Sequence, residues 1–192
     1  MPRKNLKMKT LISRPTEHDK DVFEGAIDML LPSVLEWEIV TSEQDMCSDD
    51  ERKTIRDELI KGIRSSNDKD GYALARSLER SVMWSPDAAL VDILDYFGSF
   101  LARVHREKVK SWVIKSNIIP QKSIGDSVRV KARGGEYDGF VLSVDKTTAQ
   151  YTINVSALGH FKYTFSNGVA IKNDGRLSGT QGIIKPVEEI DD

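Results

Sequence analysis

The sequence predicts an α+β chain, an N-terminal bundle of about four helices followed by a small five-stranded β-barrel, and three observations carry that expectation. Apolar residues recur at helical spacing from the first acids to about residue 116. Beyond residue 124 the period changes to two: Val128, Val130 and Ala132 alternate with Arg129, Lys131 and Arg133, and Tyr151, Ile153 and Val155 with Thr152 and Asn154. Glycine, asparagine and aspartate divide this stretch into β-type runs at 127–133, 139–145, 150–156, 160–166 and 169–172. Closing five short strands into a barrel removes the open edges they would otherwise expose.

Composition bounds the rest. A chain of 192 residues makes one domain or two small ones and buries roughly 70% of its unfolded surface without a disulfide or metal staple. With 39% hydrophobic and 30% charged residues it reads as an ordinary soluble globular chain. The lone Cys47 excludes an internal disulfide framework and favours a reducing compartment. No apolar run approaches the ~18 residues of a membrane span, and no apolar stretch follows the charged start. The expected location is therefore intracellular, cytoplasmic or nucleoid/nuclear, and not secreted. The net charge of -2 is unevenly spread: Arg3, Lys4, Lys7, Lys9 and Arg14 precede the first acid, Glu17, while Glu188, Glu189, Asp191 and Asp192 close the chain.

Residues 1–15 form a basic arm and 16–117 the helical domain. Its first helix is expected near Thr16, capped by the hydroxyl, with Asp19 and Asp21 in the first turn and Val22, Phe23, Ala26, Ile27, Leu30 and Leu31 as its buried stripe. Pro32 ends or kinks it, and the stretch that follows fits helix and strand equally. Ser48 and Glu51 make a capping box for a second helix to about Ser65, with Ile55, Leu59, Ile60 and Ile63 inward. Residues 65–71 are turn chemistry, too short for a calcium loop, and a third helix runs through Leu74, Ala75, Leu78 and Val82 to Met83. Ser85 as cap and Pro86 at the first helical position open the longest helix, which would reach Ser116 and span ~50 Å. Such a rod would outrun a small helical body and meet another domain or subunit. Leu90, Leu94, Phe97, Leu101 and Val104 form one seam and Ala89, Ile93, Tyr96 and Phe100 another, with Gly98 permitting a close helix crossing. The core of the bundle takes this wide face before a homo-oligomer does. Around and beyond Val104 cations gather, Arg103, Arg106, Lys108, Lys110 and Lys115 against Glu107, in keeping with the dipole at a helix C-terminus, and Trp112 among them is expected to pack at the domain junction rather than to stack on a base. A stiff linker at 118–123 leads into the barrel at 124–175, and 176–192 is an acidic tail that either adds a short strand, pins itself to its own domain or binds a partner in extended form.

Gly125-Asp126 with Val128 and Val130, then Tyr137-Asp138-Gly139-Phe140-Val141, Val144-Asp145 and Tyr151-Thr152-Ile153, resemble a Tudor-type SH3-like barrel, and the Gly-Asp opening with alternating valines also resembles the KOW motif. The resemblance covers roughly a quarter of the chain. It implies a small barrel that binds a methylated side chain in an aromatic cage, for which Tyr137, Phe140 and Tyr151 are the matching positions, or that contacts RNA or proteins. Ala157-Leu158-Gly159 stands where the cage families carry Asp-Tyr-Gly.

Reactive groups are sparse: His18, His105, His160 and Cys47 show no catalytic spacing, and Gly134-Gly135 and 178–182 lack the lysine of a phosphate loop. The expected function is therefore non-catalytic, with no cofactor and no metal. The first reading is an adaptor in a larger assembly, its helical body oligomerising or docking on a protein partner and its barrel and charged ends contacting neighbours. The second is a DNA- or RNA-binding protein using Arg3, Lys4, Lys7, Lys9, Arg129, Lys131 and Arg133, with Arg106 and Lys110 at the helix end. Reading of a methylated side chain comes third, and no membrane partner is expected.

Overall fold

In a computed structural model the described residues are 13–42, 47–66, 68–132, 135–155, 159–164 and 185–186. The chain divides into two units, Arg14–Lys108 and a second made of Val109–Asp192 with Met1–Ser13.

The first unit opens with α1 (Lys20–Ser42). Thr16 does not cap it; its amide and hydroxyl both donate to the Asp19 carboxylate, at 3.1 and 2.7 Å, and helical residues begin only after that turn. Pro32 does not end the helix either. The missing proline N–H costs ~3 kcal/mol in a helix interior, yet Val34 and Leu35 beyond it enter the same core as Ile27 and Leu30. Two such buried side chains contribute ~3–6 kcal/mol, so burial decides and the undecided stretch is helical. The capping box stands at the head of α2 (Asp49–Arg64), where Ser48 Oγ accepts from Glu51 N and the Glu51 carboxylate accepts from Ser48 N at 2.8 Å. Asp70 caps α3 (Gly71–Val82), accepting from Ala73 N at 2.9 Å, and Met83 ends it in the left-handed region with φ 63°.

The single long helix expected from Ser85 is two: α4 (Ala88–Leu94) and α5 (Phe97–Lys115). Asp87, not Ser85, is the cap, accepting from Leu90 N at 2.9 Å. The break has a tertiary cause. Asp95 accepts a hydrogen bond from Gly71 N at the head of α3, and a Cβ on Gly71 would strike the Val91 carbonyl oxygen, so α3 begins directly against the end of α4. The predicted ~50 Å rod is thereby replaced by two shorter pieces. Leu90, Leu94, Phe97 and Leu101 nevertheless stay in the core, whereas Tyr96 of the second seam is 62% exposed. The close helix crossing expected at Gly98 occurs at Gly62, where a Cβ would collide with Leu78; at Gly98 the nearest atom is Lys69 Cβ at 4.0 Å.

The second unit holds β1 (Ser127–Ala132), β2 (Gly135–Asp145), β3 (Gln150–Val155), β4 (Gly159–Thr164) and the two-residue β5 (Lys185–Pro186), all pairs antiparallel, in the order β4-β3-β2-β1-β5. This corrects the expected five-stranded SH3-like barrel. Among the described residues the ladder has two ends and no pairing joins them, so the sheet is open; the overall class remains mixed α+β. The expected fifth run at 169–172 lies outside the described residues, and the edge of β1 is met by two residues of the tail instead. The physical reason is what covers the apolar face. Val128, Val130, Val141, Tyr151, Ile153 and Val155 form one cluster with Val109, Trp112, Val113 and Ile118, so the end of α5 and the chain just after it bury the inner face. Curling the sheet upon itself is not required.

The Tyr151 hydroxyl accepts from the backbone amides of Gln121 and Lys122 at 2.8 and 3.0 Å, which fixes the connector to β3. Gly125, with φ 92°, makes the turn into β1, its amide donating to Val141 O while Val141 N donates to Asp126 O.

Candidate interaction surface

With its inner face packed, the sheet presents the alternate residues outward, and strand register decides which of them meet. Ser127 of β1 stands opposite Phe140 of β2, Phe140 opposite Asn154 of β3, and Asn154 opposite His160 of β4. One row across four strands thus carries a phenylalanine that is 40% exposed, with a hydroxyl on one side and, on the other, an amide followed by an imidazole. The next row pairs Arg129 with Asp138, whose carboxylate accepts from the Arg129 Nε at 2.8 Å. In the row after that, Lys131 faces Glu136 in register. Arg129 is therefore matched across the strand by Asp138, and opposite charges directly facing each other stabilise such a pair by roughly 0.2–1 kcal/mol.

The residues expected to bind nucleic acid are not all placed. Arg3, Lys4, Lys7, Lys9 and Arg133 lie outside the described residues. Arg106 is exposed on α5, and Lys110, farther along the same helix, is half-buried. Lys108 is engaged by Asp21 at 2.6 Å. The three aromatic positions do not share a face: Tyr151 is buried and Tyr137 packs against the inner cluster, while Phe140 stands on the outer side. Enclosing a cation takes several ring faces around one space, and these rings lie on opposite sides of the sheet.

Reasoning from sequence missed Glu136, Asp138, Asn154 and His160 as parts of one surface. The alternation of 136, 138 and 140 was visible, but which β1 and β3 residues stand opposite depends on register, and β2 shifts register between Val141 and Ser143.

At one rim of this face, the turn from β2 to β3 is held by Asp145. Burial works to raise its pKa, but hydrogen bonds from the hydroxyls and amides of Thr148 and Thr147 outweigh it and hold the carboxyl at about 2. The side chain is thus a fixed negative group across the physiological range.

His18 and His160 are exposed, His105 Nε2 lies 3.0 Å from the Pro15 carbonyl oxygen, and Cys47 is half-buried against the helical core. Among the described residues no three His, Cys, Asp or Glu side chains gather as metal ligands, and no helix is long and apolar enough to cross a membrane. Comparison with protein-family models, with curated proteins and with solved structures returned no match.

Proposed function

We propose that this protein is a non-catalytic adaptor that binds a protein partner on the outer face of its open sheet, around Phe140, Asn154 and His160. The observation that carries the reading is the ion pair across β1 and β2, in which Asp138 accepts from the Arg129 guanidinium at 2.8 Å. A phosphate-tracking surface needs cations free to exchange counterions, and the Arg129 guanidinium is already engaged by Asp138. A mixed-charge face around one exposed aromatic suits a protein interface, where aromatic and arginine residues supply most of the affinity.

The test has two arms. Anisotropy of short labelled DNA and RNA at low and near-physiological salt should show weak binding that Arg129→Glu and Lys131→Glu leave within twofold. A photocrosslinking amino acid at position 140 should join the chain to a protein of defined mass, and the same group at exposed Tyr72 should not. Tight, salt-steep binding of nucleic acid that falls at least tenfold with Arg129→Glu would replace the adaptor reading by the nucleic-acid one.

A further inference from the structure

The helical unit carries a second surface, where two tryptophans that pack against the core on one side are bordered by exposed apolar side chains on the other. Trp37 of α1 and Trp84, in the segment after α3, stack with centroids 6.0 Å apart and planes 23° from parallel, and both are only half-buried. Each indole N–H is held by a carboxylate, Trp37 by Asp87 at 2.9 Å and Trp84 by Glu58 at 2.6 Å, so the pair is locked in place before any ligand arrives. Val40, one turn along α1 from Trp37, is 78% exposed, and Met83, directly before Trp84, is 84% exposed. Met83 also has φ 63°, a conformation that costs a non-glycine residue ~1 kcal/mol. Glycine would end α3 without that cost and without presenting a thioether to solvent.

The charge around these side chains is mainly acidic. Glu58 and Asp87 hold the indoles, Asp57 and Glu58 line the open depression beside Met83, and Glu36 precedes Val40 by one helical turn; Lys61 is the cation in the same depression. The complementary segment is in the chain itself. Residues 1–13 carry Arg3, Lys4, Lys7 and Lys9 with no acid, interleaved with Leu6, Met8, Leu11 and Ile12. We infer that the basic arm of a second copy docks on the Trp37–Trp84 platform, its aliphatic side chains against Val40, Met83 and the indoles and its lysines against the surrounding carboxylates. Arm and platform are different surfaces, so the contact is head-to-tail and leaves a free arm at one end and a free platform at the other.

That asymmetry supplies the test, which uses full-length chains. The arm variant is Lys4→Glu, Lys7→Glu, Lys9→Glu; the platform variant is Val40→Lys, Met83→Lys, both at exposed positions, with circular dichroism and thermal melting to show that each is folded. In sedimentation velocity the wild-type protein should self-associate in a concentration- and salt-dependent way, and each variant alone should associate at least tenfold more weakly. Mixed in equal amounts, they should form a heterodimer that grows no further, because one intact arm and one intact platform remain. A monomeric wild type, variants that associate like it, or a mixture that does not form the heterodimer would each overturn the inference; so would an arm variant that associates like wild type beside a monomeric platform variant, the result of a platform-to-platform dimer.

Discussion

Asp145 organises the four-residue turn between β2 and β3 by accepting from Thr147 N, Thr147 Oγ1, Thr148 N and Thr148 Oγ1 at 2.6 to 3.2 Å. Its carboxyl lies at about 2 in the fold against an ordinary 3.8. A depressed acid contributes stability that is fully present above the unfolded value and lost as pH falls through the folded one, so this contribution fades between about pH 4 and 2. The group is exposed, and after allowance for solvent screening it is worth ~1 kcal/mol. Asp145→Asn should lower stability by that amount at pH 7 and flatten the acid limb below pH 4, read as urea midpoints across the range. Tyr151→Phe should cost more, ~1–3 kcal/mol, because it strands the amides of Gln121 and Lys122 against a buried ring. The contrast with Ser48 shows what a sequence exposes at this scale. The capping box lies within four consecutive residues and was legible, whereas the Tyr151 hydroxyl meets amides about thirty residues back.

At the scale of elements, glycines separate the positions that are constrained from those that are open. A Cβ on Gly139 would sit 2.5 Å from the Asn154 carbonyl oxygen and 3.1 Å from side-chain atoms of Ile153 and Val155. Backbone in a paired strand cannot give way cheaply, so Gly139→Ala should destabilise the sheet by ~1–3 kcal/mol in denaturant unfolding. Gly98→Ala should do the reverse and add ~0.5 kcal/mol, since it replaces a glycine in the first turn of α5 where space is open. Helices and strands were legible as elements because burial imposes periods of 3.6 and 2 on them. The break between α4 and α5 was not, because it rests on Asp95 bonding Gly71 across the fold. The role given to Gly98 failed for the same reason: a glycine's sequence context does not say which helix it faces.

At the scale of the whole molecule, the described residues form two hydrophobic cores with no residue in common, one from Val22 to Leu101 and one from Val109 to Val155. Alternation in the strands revealed which face of the sheet is apolar but not what would cover it, so a closed barrel and an open sheet under a helix read alike in sequence. Helix α5 contributes Leu101 to one core and Trp112 to the other, which makes the independence of the two an experimental question about that helix. Separate cores imply separate cooperative units. Calorimetry should therefore resolve two transitions, each responding to its own substitution. Leu59→Ala empties a fully buried site in the first core, should cost ~2–5 kcal/mol, and should lower one transition by several degrees while the other holds within a degree or so. Gly139→Ala should move only the other. Were both substitutions to lower a single shared transition equally, α5 would be transmitting stability between the cores, and loss of either would unfold the chain as one unit.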